Sequence, residues 1–373
     1  MIFLRELLVT FSIKIKKMIK YQFCKQFVDR YRSFLSSEEY KINKPYTKSE
    51  YWKYEADQMK IDISENIITI SGGSGFYVPS SIKSKIFKFI NNPYSLISFL
   101  KRKFEISEIN LLNYFSAFEK VMNSDPISDP DLSPYKVNFN KLKQNKGVLS
   151  SIGDLKKQYF AKNKFPLNNH MITVYYYYNL LCSYTNLDKI KTIIDIGPGN
   201  GNLISLLYSK INNSKIIAVD LPETLSSSIL FISELFPKAK ILMPHEAKSK
   251  NFNLYDFVFL TPSQIDMLDE NSVDLTINTH SFQEMMHEQI NEYFKLIQRV
   301  GKNNSYFFTS NRVEKIPCGV NAYTKESSAL PNRFSEYPWH RDNHLLIYEI
   351  SRLHRLVQLD NIYLRLEQIK KKK

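Results

Sequence analysis

The residues best suited to chemistry form a short run of glycines behind an aspartate. The segment TIIDIGPGNGN places Asp195 at the end of a β-branched stretch, with Gly197, Gly199 and Gly201 at alternate positions after it. Glycine suits such a loop because the chain must turn tightly and bring its backbone against a ligand, which a Cβ would obstruct. A helix beginning near residue 202 would point its free N–H groups at the same place. This pattern predicts a loop that cradles a small ligand.

A second acid follows at the spacing expected of a carboxylate that binds ribose. About 20 residues after the loop, the strand-like KIIAVD ends in Asp220, which Leu221 follows. A carboxylate there can accept hydrogen bonds from both hydroxyls of an adenosine ribose. The alternative for Asp195 and for Asp220 is that each caps a helix. The pair at this spacing favours a site for a nucleoside cofactor.

Details of the loop indicate which cofactor it binds. A dinucleotide fingerprint would have its third glycine at position 202, where this chain has Asn202. Asp195 would repel a pyrophosphate but would attract the positive sulfonium and ammonium groups of S-adenosylmethionine. The sequence therefore favours S-adenosylmethionine over NAD.

Alternating strand and helix signals surround the loop and predict how it is positioned. From about residue 151, β-branched stretches alternate with longer amphipathic ones, which is typical of a parallel sheet with helices on both faces. Right-handed crossovers make a doubly wound, Rossmann-like α/β sheet the expected fold. The predicted strands are 191–196, 215–219, 240–243, 257–260, 274–279 and 305–310, and the predicted helices are 171–187, 203–210, 223–236 and 289–300.

Six segments in a fixed order resemble those of class I S-adenosylmethionine-dependent methyltransferases. More narrowly, they resemble the sugar O-methyltransferases found with bacterial surface-polysaccharide genes. The segments are NHMITVYYYYNLL, IIDIGPGNGNL, AVDLPETL, DFVFLTPSQIDML, VDLTINTHSFQEM and YFFTSNRVEK, which cover about residues 165 to 315. The resemblance implies methyl transfer to a hydroxyl of a sugar, a nucleotide sugar or a glycan.

Further cofactor contacts are expected at the ends of two later strands. Gln264 and Ile265 follow the predicted strand 257–260 and are candidates for hydrogen bonding to the adenine and for packing on it. The alternative place for the adenine is the strand that ends at Met243. Asn278, near the end of the strand 274–279, is also expected beside the cofactor.

His280 and Glu284 are the candidate catalytic residues. An attacking hydroxyl must lose its proton, and the pKa of histidine suits it to accept that proton at neutral pH. Glu284 lies four residues later, where it can orient the imidazole or act as the base itself. In the alternative, His280 only shapes the wall of the acceptor site. Asn311 and Arg312, at the end of the last strand, are candidates for contact with an acidic sugar or a phosphate.

The two ends of the chain carry no comparable motif. We expect a mainly helical accessory or substrate-cap region over residues 1–150, the S-adenosylmethionine-binding domain over 151–320 and a helical tail over 321–373. Read as a helix, the first 23 residues are amphipathic and basic. They permit peripheral contact with the inner face of a membrane, but their charges argue against a spanning helix.

Composition bears on the partners and the compartment. The 373 residues carry a formal net charge of +14, which raises the alternative of an RNA or DNA acceptor. The charge is scattered along the chain, and the strand end Asn278–Ser281 lacks the prolines typical of enzymes that methylate nucleic-acid amines. Both features favour a hydroxyl acceptor. Three separated cysteines fit a reducing compartment, so we expect a cytoplasmic protein, and the sequence permits a homo-oligomer.

Two further alternatives concern a metal and the absence of catalysis. His340 and His344 have the spacing of two ligands on one helix face, with His354 further on. No acidic or cysteine partner accompanies them at a ligand spacing, so no metal site is predicted, although a divalent ion is not excluded. A non-catalytic partner protein with the methyltransferase fold would be expected to lose the acid or the glycines of the loop, and both are present.

Overall fold

A small antiparallel sheet and two helices form the N-terminal part of the protein. The computed structural model describes residues 18–41, 52, 56, 57, 59–71, 169–316, 330–356 and 361–371. The sheet has the order β1-β3-β2, and the ranges are β1 Met18–Gln22, α1 Lys25–Ser36, α2 Glu38–Lys41, β2 Lys60–Ser64 and β3 Ile67–Ser71.

This sheet differs from the mainly helical region that the sequence predicts. Met18–Gln22 was expected in a basic helix but pairs along its length with β3. β2 and β3 form a hairpin around a two-residue turn, in which Glu65 has a φ of 48°. Strand pairing over alternating side chains therefore outweighs the helical pattern here. α1 and α2 belong to the same predicted region and are helical, and residues 72–150 of that region lie outside the described residues.

An eight-stranded sheet with flanking helices forms the larger part of the protein. Its spatial order is β12-β13-β9-β8-β4-β5-β7-β6, in which the six strands from β9 to β6 are parallel. In chain order the elements are α3 Asn169–Tyr184, β4 Thr192–Ile196, α4 Asn202–Lys210, β5 Lys215–Val219, α5 Pro222–Leu235, β6 Ile241–Leu242, β7 Phe257–Leu260, β8 Val273–Thr279, α6 His287–Val300, β9 Gly301–Arg312, β10 Glu314–Lys315, β11 Asn332–Arg333, β12 His344–Ile350, α7 Arg352–Leu356 and β13 Ile362–Gln368.

Both faces of the sheet are buried, as a doubly wound fold requires. Successive side chains of a strand point to opposite faces. Ile193 accordingly packs with α3, α4 and α5, whereas Ile194 packs with α6 on the other face. Every residue of β4 is buried, which agrees with the three isoleucines among its five residues. The predicted Rossmann-like α/β fold is confirmed.

The predicted helical tail is wrong, because its sequence forms two strands of the main sheet. β13 lies between β9 and β12 and is antiparallel to both. Its Ile362, Leu364 and Leu366 are buried and alternate with less buried side chains, which is the period of a strand. Within residues 330–356 and 361–371, the α-helix is limited to the five residues of α7. His340 lies before β12 and His344 on it, so these two histidines do not share a helix face.

Helix α1 joins the N-terminal part to the main sheet. The guanidinium of Arg30 donates to both carboxylate oxygens of Glu246 and to the carbonyl of Ile241, each at 2.7 Å. The Tyr31 hydroxyl donates to the carbonyl of Ser226 at 3.2 Å. α1 is therefore held against α5 and the edge strand β6. No helix among the described residues is long and apolar enough to cross a membrane.

We predict that the core depends on the C-terminal strand β13. Leu364→Ala should lower the free energy of unfolding by about 2–5 kcal/mol, because Leu364 is fully buried (0% exposed). The matched control is Leu345→Ala on β12, where the side chain is 43% exposed; it should change that free energy by about 0.5 kcal/mol or less. Urea unfolding followed by tryptophan fluorescence measures both, and equal losses would contradict the placement of β13 in the core.

Candidate active site

The glycine loop turns the chain from the end of β4 into helix α4. Gly197, Gly199 and Gly201 have φ values of 75°, 59° and 87°, a region that other residues enter only at a cost. The N–H of Gly197 donates to the carbonyl of Val219 at 2.8 Å, which ties the loop to the end of β5. Gly201 precedes the first residue of α4. The requirement for glycine at these positions is thus a property of the backbone.

Gly197 and Gly199 have different surroundings on their side-chain faces. A Cβ on Gly197 would lie 2.2 Å from the Oγ of Ser281, so the loop packs directly on the chain that follows β8. A Cβ on Gly199 would meet no heavy atom within 4 Å in the described part of the chain. The backbone at Gly199 therefore borders a space that a ligand can fill.

Asp195 is a buried carboxylate at the base of this loop. It is only 1% exposed. Its Oδ1 has no hydrogen-bond partner among the described residues. Burial, with the charge of Asp220 as a smaller cause, raises the pKa of Asp195 well above its ordinary value. A buried carboxylate oxygen without a partner is costly, and a cationic ligand group would relieve that cost.

Asp220 is the second buried carboxylate, at the end of β5. It accepts hydrogen bonds from the N–H of Gly199 at 3.2 Å and from that of Leu221 at 2.7 Å. Its side chain does not cap α5, whose N-cap is Leu221. Burial raises the pKa of Asp220 to about 7, helped by the charges of Glu223 and Glu284 and opposed by the two hydrogen bonds.

The raised pKa of Asp220 has a direct effect on stability. An unfolded aspartate has a pKa of about 3.9. A group whose pKa is raised on folding stabilises the protein below its unfolded pKa, and that contribution is lost as the pH rises through the folded value. Between pH 4 and about 7, Asp220 therefore progressively destabilises the ligand-free protein as it ionises. A ligand that donates hydrogen bonds to Asp220 would offset this cost.

Asn278 and Asn311 connect the ends of three strands. The Asn278 amide donates to the carbonyl of Ile196 at 2.9 Å and to Ser281 Oγ at 2.5 Å, and its oxygen accepts from Asn311 at 2.8 Å. The oxygen of Asn311 accepts from the N–H of Gln283 at 3.2 Å. Both amides are thus bound within the protein. These bonds fix the two side chains, and the contacts with cofactor and sugar that the sequence suggests for them stay predictions.

Gln264 is also used inside the protein. Its oxygen accepts from the N–H of Thr261 at 2.9 Å, and its nitrogen donates to the carbonyl of Pro244 at 2.8 Å. One of the two N–H groups of this amide is thus used inside the protein, and the expected hydrogen bond from Gln264 to the adenine stays a prediction. The choice of the strand 257–260 for the adenine also stays a prediction; this strand, β7, pairs with β5, and the N–H of Asp220 donates to the carbonyl of Leu260 at 3.3 Å. Ile265, five residues beyond that carbonyl, stays a prediction for the adenine contact.

His280 is held at the end of β8 in a left-handed backbone conformation. Its φ is 60°, and its N–H donates to the carbonyl of Ser310 at 2.7 Å. Its Nε2 lies 2.8 Å from the hydroxyl of Tyr177, which lies 2.7 Å from Ser310 Oγ. Burial, with neighbouring positive groups such as His354 and Arg312, lowers the pKa of His280 to about 3. The sequence predicts a base with a pKa near neutrality, and the environment of the ring contradicts that value.

Glu284 forms an ion pair with a lysine in place of the predicted pair with His280. Its carboxylate lies 2.5 Å from Lys315 Nζ, and the two side chains are only 12% and 11% exposed. Burial raises the pKa of Glu284, although Lys315 opposes the effect. The charge of Glu284 in turn contributes to the raised pKa of Asp220. Glu284 is therefore a largely buried carboxylate that lies close enough to Asp220 to influence its pKa.

Tyr177 is the residue of this site that sequence reasoning misses. It belongs to the run of four tyrosines on α3, and all four are buried. Neither its type nor its spacing distinguishes Tyr177 from its neighbours. A tyrosine hydroxyl that must be buried needs a polar partner, and that need is the one signal the sequence offers.

Comparison with known proteins gives similarity of structure and none of sequence. No protein-family model and no curated protein matches the chain. A SAM-dependent methyltransferase from Aquifex aeolicus is 14% identical, with 49% of this chain and 85% of that one covered and a TM-score of 0.32. A protein from Pyrococcus horikoshii OT3 is also 14% identical, with coverages of 54% and 92% and a TM-score of 0.36.

A third solved structure is that of a geranyl diphosphate C-methyltransferase from Streptomyces coelicolor A3(2), with Mg2+, geranyl diphosphate and S-adenosyl-L-homocysteine bound. It is 12% identical, covers 54% of this chain and 80% of its own length, and has a TM-score of 0.37. Because all three TM-scores are below 0.5, the fold is assigned from the strand order and the function is inferred from the site.

We predict that alanine at Gly197 mainly affects stability, whereas alanine at Gly199 mainly affects ligand binding. Gly197→Ala should lower the melting temperature strongly, because its Cβ would collide with Ser281, which is itself hydrogen-bonded to Asn278 and Ile196. Gly199→Ala should destabilise the fold by only about 1–2 kcal/mol, the cost of a left-handed residue. Its methyl group should instead weaken the binding of S-adenosylhomocysteine at least about tenfold, a loss of about 1.4 kcal/mol. Differential scanning fluorimetry and calorimetric titration measure the two effects, and unchanged affinity in Gly199→Ala would contradict the cradle.

Proposed function

We propose that this protein binds S-adenosylmethionine and transfers its methyl group to a hydroxyl of an acceptor. One observation carries the cofactor assignment: the buried Oδ1 of Asp195 has no partner among the described residues and lies at the base of a glycine loop with open space beside Gly199. A cationic group of the ligand would satisfy that oxygen. A pyrophosphate would be repelled by it.

Each buried acid has a separate role in holding the cofactor. Asp195 would pair with the ammonium group of the methionine part, directly or through water. Asp220 would accept hydrogen bonds from the ribose hydroxyls while it keeps those from Gly199 and Leu221. When bound, S-adenosylmethionine supplies an electrophilic methyl group whose carbon–sulfur bond breaks with its electron pair on sulfur. The backbone of Gly199 allows close approach because no side chain stands there.

Glu284 is the residue that we assign as the base. A carboxylate with a raised pKa is a stronger proton acceptor, and burial raises the pKa of Glu284. Lys315 keeps the deprotonated form available at neutral pH through its ion pair. His280, whose pKa is lowered to about 3, is a much weaker proton acceptor. Glu284 would therefore take the proton of the acceptor hydroxyl, and His280 would act in its neutral form.

A sugar, a nucleotide sugar or a glycan is the acceptor class that we propose. Support comes from the resemblance of the sequence to sugar O-methyltransferases and from the strand end Asn278-Thr279-His280-Ser281, which has no proline. A polar hydroxyl acceptor also fits the hydroxyl, imidazole and carboxylate groups that gather after β8 and β9.

We predict that the affinity for S-adenosylhomocysteine rises between pH 6 and pH 8. The ribose hydroxyls need the ionised form of Asp220, whose pKa in the free protein is about 7. Asp220→Asn should weaken binding at least about tenfold, or 1.4 kcal/mol, and should flatten the pH dependence. Asp266→Asn, at a carboxylate that is 98% exposed, is the matched control and should bind as the wild type does. Calorimetric titration is the measurement, and absence of binding by the wild-type protein would reject the proposed cofactor.

We predict methyl transfer to oxygen when suitable acceptors are supplied. Protein incubated with tritiated S-adenosylmethionine should label at least one member of a panel of UDP-glucose, UDP-glucuronic acid, dTDP-rhamnose and extracted bacterial polysaccharide. Glu284→Gln should reduce the rate at least about a hundredfold while S-adenosylhomocysteine binding is retained, in the range expected for loss of a general base. Labelling of total RNA in place of the panel would assign the acceptor to nucleic acid.

A further inference from the structure

We propose that Tyr177 fixes His280 in the tautomer that carries its hydrogen on Nδ1, which makes His280 a hydrogen-bond donor to the acceptor and not a base. The part of this proposal that concerns the acceptor rests on the proposed function. Tyr177 is then a positioning residue that acts through His280.

The polar groups that set this arrangement are buried together between helix α3 and the strand ends. Tyr177 and Ser310 are buried, and the Tyr177 hydroxyl links His280 Nε2 at 2.8 Å with Ser310 Oγ at 2.7 Å. The backbone of His280 is fixed to the same strand, since its N–H donates to the Ser310 carbonyl. The imidazole therefore has one defined position relative to Tyr177.

The chemistry of the two rings decides which one donates. A phenol, with an ordinary pKa of about 10, is a stronger donor than the N–H of a neutral imidazole. An imidazole nitrogen, whose conjugate acid has a pKa of about 6.5, is a stronger acceptor than a phenol oxygen. The favoured hydrogen bond therefore runs from the Tyr177 hydroxyl to His280 Nε2. A neutral imidazole that accepts at Nε2 carries its hydrogen on Nδ1.

Ser310 supports the same direction. Within the described chain its buried hydroxyl has one hydrogen-bond partner, the oxygen of Tyr177. If Tyr177 donated to Ser310, the Ser310 hydrogen would be buried without an acceptor, which costs about 1–3 kcal/mol. The arrangement that satisfies this hydrogen has Ser310 donating to Tyr177 and leaves the hydrogen of Tyr177 for His280.

The consequence lies at the other nitrogen of His280. Among the residues that the structure describes, Nδ1 has no hydrogen-bond partner, and the His280 side chain is partly exposed. Ser281, the next residue, packs on Gly197 of the loop. The Nδ1–H group thus belongs to a residue beside the cofactor loop and can donate to the oxygen of an acceptor. This would orient the hydroxyl while Glu284 takes its proton.

Nitrogen NMR of the histidine rings tests the tautomer without any acceptor. Full-length protein labelled with 15N-histidine is measured from pH 6 to pH 8, and the His280 signals are identified by their loss in His280→Asn. The expected result is a protonated Nδ1 and an unprotonated Nε2 with a preference of at least about tenfold, the equivalent of one ordinary hydrogen bond. A protonated Nε2 in the wild-type protein would overturn the proposal.

Two tyrosine variants show whether Tyr177 is responsible. Tyr177→Phe should move the hydrogen of His280 largely to Nε2, whereas Tyr176→Phe, one residue away on α3, should leave the wild-type spectrum. Since Tyr177→Phe strands the Ser310 hydroxyl, the double variant Tyr177→Phe/Ser310→Ala removes that hydroxyl and should fold with the same shifted tautomer. An unchanged tautomer in both Tyr177 variants would show that Tyr177 does not set it.

Asparagine and aspartate at position 280 test the donor role in the transfer reaction. Both tolerate the left-handed backbone, and the asparagine amide can donate from near the position of Nδ1, whereas aspartate only accepts. Transfer to the sugar panel should stay within about tenfold of wild type in His280→Asn and should fall at least a hundredfold in His280→Asp. Greater activity in the aspartate variant would make position 280 an acceptor and overturn the proposal.

The two levels of inference fail separately. S-adenosylhomocysteine binding with a protonated Nε2 would leave the proposed function standing and reject the role of Tyr177. An Nδ1 tautomer in a protein that does not bind S-adenosylhomocysteine would reject the proposed function and leave the effect of Tyr177 on the tautomer standing.

Discussion

Two carboxyl groups buried at the ends of neighbouring parallel strands constrain the rest of this structure. Asp195 lies near the end of β4 and Asp220 follows β5; burial raises the pKa of both, and the charge of Asp220 adds to the effect on Asp195. In the described part of the chain neither forms an ion pair, so the protein compensates them only in part, through two backbone N–H groups on Asp220. Such a site is stabilised by a ligand that brings positive charge to one acid and hydroxyl donors to the other.

The surrounding polar residues keep the two acids and the loop in fixed positions. Asn278 and Ser281 hold the carbonyl of Ile196, directly after Asp195, to the end of β8. Asn311 extends this network to β9. Buried amides whose donors and acceptors are satisfied make such a network rigid, and rigid dipoles are what a cofactor site requires. The small side chain of Ser281 and the absence of one at Gly197 let the two chain segments touch.

Much of this fold can be predicted from the sequence because strands such as β5 and β7 contain short apolar runs, which Asp220 and Thr261 follow. β5 and β7 have the predicted bounds, and the strand predicted at 274–279 begins one residue earlier, at Val273. Prediction fails where pairing is decided by distant segments. β13 becomes a strand because β9 and β12 lie on either side of it, and Met18–Gln22 becomes one because β3 is available.

At the candidate site, too, the sequence predicts the residues that leave a local pattern and misses the contacts between distant segments. Residue type and spacing lead to Asp195, the loop glycines and Asp220, since backbone turns and buried acids leave a local pattern. They do not reveal that the side-chain amides of Gln264, Asn278 and Asn311 also form hydrogen bonds with segments 20 or more residues away along the chain. Tyr177 lies 103 residues from His280 and has no local pattern at all.

The division of work between His280 and Glu284 follows from their environments and not from their residue types. Histidine has the better pKa for a base in water, but near His280 burial and cationic neighbours favour the neutral ring. Burial likewise disfavours the charged form of Glu284 and so makes its carboxylate a stronger base, while the ion pair with Lys315 opposes part of that shift in pKa. In the proposed mechanism the imidazole is therefore a neutral hydrogen-bonding group and the carboxylate is the proton acceptor. In that mechanism the buried hydroxyl of Tyr177, 2.8 Å from His280 Nε2, holds the imidazole in a single tautomer.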